Sequence, residues 1–125
     1  MALKKLLLAL AVFWTLVIAV LCLVSFREMP TVSLKSADKY VHTTFHFVFT
    51  ILWFFALYQN TAIKKSLARV FLLSFGYGIL IEILQSTFTQ TRKADVYDVF
   101  ANATGAVLAI LVLYFYDNYL KRKAL

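Results

Sequence analysis

At 125 residues the chain is one domain by length, yet 62% hydrophobic content with 15% charged residues is far more apolar than a soluble fold of that size uses. A soluble protein this small leaves roughly a third of its unfolded-chain surface wet, so water is excluded as its main solvent. The formal net charge of +7 sits in short Lys and Arg clusters between apolar runs, which argues for anionic lipid headgroups and against nucleic acid as the partner.

The first apolar run, residues 6–26, follows Lys4 and Lys5 and is long enough at ~1.5 Å per residue to cross a ~30 Å hydrocarbon core. It lacks the short apolar region and small-x-small exit of a cleaved signal peptide, so it is expected to stay in the mature protein as an anchor. Cys22 lies inside it as a small packing or lipid-facing residue, with no second cysteine to pair with and no lipoprotein-type small residues before it. Residues 27–39, with the single proline Pro30, read as a loop. A second span covers residues 40–58, a third 67–88 and a fourth 95–116, with a basic tail after it. The expected fold is all-α, a polytopic membrane protein built as a four-transmembrane-helix bundle.

Lys and Arg set the expected orientation. The N-terminus, the second loop with Arg69, and the tail carry 2, 3 and 3, a total of 8, against 3 and 2, a total of 5, in the first and third loops. Both termini are therefore expected on the cytoplasmic side. Tyr58, Tyr114, Tyr116 and Tyr119 then fall at inner helix ends, and Tyr40 and Tyr97 at outer ends, as interfacial aromatics do.

Polar side chains within spans are costly, so their positions carry the most information. Asp38, His42 and His46 recur every fourth residue on one face of span two. Glu82 lies one turn from Gln85 near the end of span three, and its face continues through Gly78 and Ser74. Asp95, Asp98 and Asn102 share a stripe at the start of span four, which continues through Gly105 or Ala106 and Ala109. Small residues let helices approach closely in lipid, so the stripes of spans three and four are expected to face each other. That arrangement places Glu82, Gln85, Asp98 and Asn102 in one outward-opening polar pocket under Arg92 and Lys93.

Each group also has a plainer role. Asp95 suits the N-cap of span four. Glu82 suits an ion pair with Arg92 or Lys39 that pins the bundle. It also suits a proton acceptor, although no reaction partner is visible. His42 and His46 with Glu82 offer a metal set, but the spacing is common and further His or Cys are missing, so no metal or cofactor is assigned. No nucleophile elbow, Ser/Lys pair or nucleotide loop is present, and a non-enzymatic role is favoured.

Asp38-Lys39 with His42, then Glu82-Ile-Leu-Gln85, then Arg92 followed by Asp95, Asp98, Asn102 and Gly105 together resemble the VanZ-like family. The resemblance covers roughly residues 38–116. It implies a small bacterial cytoplasmic-membrane protein with an envelope role at the outer face, in a family whose founding member is associated with low-level teicoplanin resistance. It carries Asp38, His42, Glu82, Gln85, Arg92, Asp95, Asp98 and Asn102 forward as candidate binding residues without assigned roles. The expected ligand is a lipid headgroup, a lipid-linked cell-wall intermediate or a lipophilic glycopeptide, with membrane lipids as neighbours. An intramembrane hydrolase or transferase using Glu82 or Asp98 with His42 is the alternative. A transmembrane proton or ion path is disfavoured, because the spans are apolar below His46, Ser74 and Asn102.

Overall fold

The computed structural model describes residues 1–24, 35–58, 62–89 and 93–124, and the side chains of all of these except residues 35 and 36. Four helices account for nearly all of them: α1 (Ala2–Leu23), α2 (Lys35–Leu57), α3 (Ile63–Phe88) and α4 (Val96–Lys123). All four are long and apolar enough to cross a membrane, which makes the chain a multi-pass, four-helix membrane protein.

The helices overrun the expected spans because their polar ends suit helix termini. Residues 35–39, expected as loop, form the first turn of α2, where Asp38 faces the positive end of the helix dipole. The basic tail continues α4 to Lys123, with Lys121, Arg122 and Lys123 at the negative end and a Lys121–Asp117 pair at 2.6 Å on one face. At 28 residues α4 extends about 42 Å, beyond the ~30 Å apolar layer. Asp95 is its N-cap, with the side chain accepting the Tyr97 amide at 2.9 Å.

Apolar side chains face outward and polar ones inward. Leu6, Phe13, Leu16, Leu72, Ile83, Val112 and Phe115 are exposed, whereas His42, His46, Ser74, Glu82, Gln85, Asp98 and Asn102 are buried. Lipid explains that inversion, since tails solvate Leu and Phe but offer nothing to a hydrogen-bonding group. The hydroxyls of Thr15, Thr43, Thr44, Thr50 and Thr104 accordingly donate to the carbonyl four residues earlier in their own helices.

α2 packs most extensively against α4. Gly105 makes this possible, because a methyl group there would come within 2.1 Å of the Thr43 carbonyl oxygen on α2. Close approach also brings the Thr43 hydroxyl to the Ala101 carbonyl at 3.2 Å. The small-residue stripe of α4 thus serves α2 as well as α3, where only an α3 contact was expected. α1 touches α2 and α3 and makes no contact with α4 among the described residues. It is more than an anchor, for Trp14 donates to the Phe45 carbonyl at 3.0 Å, Trp53 to the Thr15 hydroxyl at 3.0 Å and Tyr77 to the Thr15 carbonyl at 2.6 Å.

Two apolar clusters frame the bundle. Ile18, Cys22, Phe49 and Ile81 join α1, α2 and α3, with the Phe49 and Tyr77 rings stacked at 5.0 Å. Phe54, Leu67, Val70 and Leu113 close the end where α2 finishes and α3 begins. The opposite end, formed by the start of α2, the end of α3 and the start of α4, holds the polar residues.

Candidate functional site

The four-residue recurrence of Asp38, His42 and His46 points one face of α2 into the bundle, and the first turns of α4 present Asp95, Asp98 and Asn102 to it. Lys39 of α2 reaches across to both acids of α4, pairing with Asp95 Oδ2 at 2.6 Å and with Asp98 Oδ1. One turn deeper, His42 Nδ1 meets Asn102 Oδ1 at 3.0 Å with both side chains buried. An amide oxygen only accepts, so Nδ1 carries the hydrogen, and whenever the ring is neutral its lone pair is on Nε2. That nitrogen lies 3.8 Å from Asp38 Oδ1 and 3.9 Å from Asp98 Oδ2.

Glu82 enters from α3. Its Oε2 accepts the Asp95 backbone amide at 3.2 Å, which couples the end of α3 to the cap of α4. Its Oε1 and the Asn102 Nδ2 are both buried without a hydrogen-bond partner. Buried polar atoms are nearly always satisfied, so an acceptor and a donor left over in one cluster set this end apart from the rest of the bundle. Gly78 makes room for this layer, since a methyl group there would stand 2.9 Å from Asn102 Nδ2 and 3.2 Å from the His46 ring.

His46 belongs to the next layer down, with Nδ1 at 2.9 Å from the Ser74 hydroxyl. It does not share a metal-binding geometry with His42 and Glu82, the set weighed from sequence. The atoms that do converge are one each from Asp38, His42 and Asp98, within 4.8 Å of one another.

The candidate residues therefore divide. Asp38, His42, Glu82, Asp95, Asp98 and Asn102 come together at the polar end. Gln85 turns to α1, donating to the Cys22 carbonyl at 2.8 Å. Arg92 lies outside the described residues. Lys39, weighed from sequence as a partner of Glu82, instead ties Asp95 to Asp98, and its position one residue from Asp38 in the first turn of α2 was the signal for it.

A family model described as VanZ/LLP1 matches residues 6–117. The chain belongs to the VanZ/LLP1 family. Comparison with curated proteins and with solved structures gives no significant match. The VanZ/LLP1 match covers α2 and α3 in full, most of α1 and α4, and every residue of the polar cluster.

Proposed function

We propose that this VanZ/LLP1-family protein binds the polar headgroup of an envelope amphiphile in the bacterial cytoplasmic membrane. The ligand class is a lipid-linked cell-wall intermediate or a lipophilic glycopeptide, and capture of a glycopeptide would contribute to resistance against it. The observation that carries the reading is the buried pair of unsatisfied atoms, Glu82 Oε1 and Asn102 Nδ2, among charged groups at one end of an otherwise apolar bundle. A headgroup supplies donors and acceptors together while its lipid chains lie against the exposed apolar helix faces, which fits that combination. The Lys and Arg distribution supports cytoplasmic termini, and this puts the polar end at the outer leaflet.

Mass spectrometry of lipid co-purified with the wild-type protein tests the reading by naming the headgroup. Glu82→Ala and Asp98→Ala, expressed at equal level, should lower its occupancy at least tenfold, the size of one charge-assisted hydrogen bond of about 1.5 kcal/mol or more. Equal occupancy in wild type and both variants sinks it.

A second reading, intramembrane acid–base catalysis on an envelope lipid, has one supporting observation. The His42 ring is fixed by Asn102 with Nε2 facing two carboxylates, an arrangement suited to a general base. Product formed from envelope lipids by wild type and not by Asp98→Asn would favour it over simple binding.

A further inference from the structure

We propose that Asp38, His42 and Asp98 form a binding site for a divalent first-row cation of the manganese or zinc class. The inference does not depend on the headgroup reading, because its ligands and its test involve the ion alone.

One imidazole nitrogen and one oxygen from each carboxylate lie within 4.8 Å of one another. The Asn102 amide oxygen takes the Nδ1 hydrogen of His42, so Nε2 is the nitrogen left to ligate, facing Asp38 and Asp98 at 3.8 and 3.9 Å. These separations exceed hydrogen-bond length, so Nε2 makes no direct hydrogen bond to either acid. A point equidistant from three atoms so spaced lies about 2.5 Å or less from each, a few tenths of an ångström above ordinary metal–oxygen and metal–nitrogen bonds of ~2.0–2.2 Å. An imidazole whose second nitrogen is held by an oxygen acceptor is also the usual arrangement at metal-ligating histidines, because it fixes both tautomer and ring plane.

Glu82 is an independent pointer. It is 3% exposed, its Oε2 is held by the Asp95 amide at the start of α4, and its Oε1 has no hydrogen-bond partner. A cation among the neighbouring ligands gives that buried oxygen a positive charge to face, directly or through a bound water. Lys39 competes for Asp98, yet its ammonium takes Oδ1 while Oδ2 is the oxygen that approaches His42. The Asp38 side chain is 31% exposed against 3% for His42 and 7% for Asp98, so an ion enters from the membrane boundary past Asp38. Two carboxylates suit magnesium, calcium or manganese and one imidazole suits zinc, iron or copper, and the mixture selects the borderline ions manganese and zinc.

Full-length protein in detergent, stripped with EDTA, is titrated with Mn²⁺ alone by the electron paramagnetic resonance of the free ion, and with Zn²⁺ alone by calorimetry. One equivalent is expected to bind. Asp38→Asn, His42→Gln and Asp98→Asn should each weaken binding at least tenfold, and Asn102→Ala about 10–100-fold through loss of ring orientation. Asp117→Asn, the same charge change at the far end of α4, should leave it unchanged. Lys39→Met should tighten Mn²⁺ binding several-fold, a gain that misfolding cannot produce. No saturable binding of either ion, or binding unmoved by Asp38→Asn, His42→Gln and Asp98→Asn together, overturns the site.

Discussion

Gly105 of α4 lies so close to the backbone of Thr43 on α2 that a methyl group on it would overlap the Thr43 carbonyl oxygen at 2.1 Å and come within 3.0 Å of the Phe47 amide nitrogen. Backbone cannot rotate away as a side chain can, so Gly105→Ala must push α2 from α4. The expected cost is about 1–3 kcal/mol, the range of overpacked cores. Gly76 is the matched control, as nothing lies within 4 Å of a methyl group there. Gly76→Ala should be neutral or stabilising by up to ~1 kcal/mol through helix propensity. Thermal unfolding of both variants in one detergent checks the contrast, and equal midpoints would show that the two helices do not meet at Gly105.

The four spans were legible because each is a long apolar run, and lipid exposure demands little more than length and hydropathy. Asp95 as a cap was legible for a similar reason, since capping is local. Which helix each polar residue meets was not. Gln85 shares a face with Glu82 in the sequence, but α1 lies against α3 at that level, so Gln85 reaches Cys22 instead. Gly105 and Ser74 looked like parts of one α3–α4 seam, yet both meet α2, through Thr43 and His46. Helix crossings decide those partners, and crossings arise from the packing of all four helices together.

The hydrogen bond between His42 and Asn102 joins two residues that are 2% and 1% exposed, so removing either side chain leaves the other unsatisfied in a buried site. Asn102→Leu and His42→Leu should each destabilise the protein by about 1–3 kcal/mol. The double variant should cost less than the sum, because the orphaned partner disappears with the second change. A double-mutant cycle by thermal or denaturant unfolding is expected to give a coupling of roughly 0.5–3 kcal/mol. Strict additivity would mean the two side chains do not interact.

Lys39 pairs with Asp95 and Asp98 together, and Asp98 is the buried member of the trio. Breaking a fully buried pair costs about 3–5 kcal/mol. Lys39 and Asp95 have side chains 30% and 40% exposed, so water screens part of that, and Lys39→Met should lose less. Because the same change frees Asp98 for a cation, the loss should appear in EDTA and shrink as Mn²⁺ is added, following the mass-action stabilisation of a folded state by its ligand. Melting curves with and without Mn²⁺ measure this directly. A deficit independent of Mn²⁺ would confine Lys39 to a structural ion pair.

Gln85 fastens the end of α1 through the Cys22 carbonyl, and the buried Cys22 reports on that docking. Gln85→Leu leaves a carbonyl near the α1 terminus without its side-chain donor, at an expected cost of about 1 kcal/mol. Local opening should rise accordingly, and Cys22 should react several-fold faster with a membrane-permeant maleimide than in wild type. Trp14→Phe, which removes the bond to Phe45 further along α1, should add to the effect. An unchanged labelling rate in the double variant would mean that apolar packing around Ile18 and Phe49 holds α1 without these bonds.

The side of the membrane on which the polar cluster opens follows from the termini. An even number of spans puts both ends on one side, and the Lys and Arg count of 8 against 5 favours the cytoplasm for that side. α2 and α4 both begin at the polar end and α3 finishes there, so cytoplasmic termini commit Asp38, Glu82 and Asp98 to the outer leaflet. A periplasm-active alkaline phosphatase joined after Leu125 should be inactive, while a fluorescent protein at the same point should be bright. Substituting Lys64, Lys65 and Arg69 by Gln reduces the inner count to 5 and removes the bias, so mixed orientation is the expected result. An active phosphatase fusion on the unaltered chain would instead turn the cluster to the cytoplasmic leaflet, where a ligand arriving from outside the cell could not reach it.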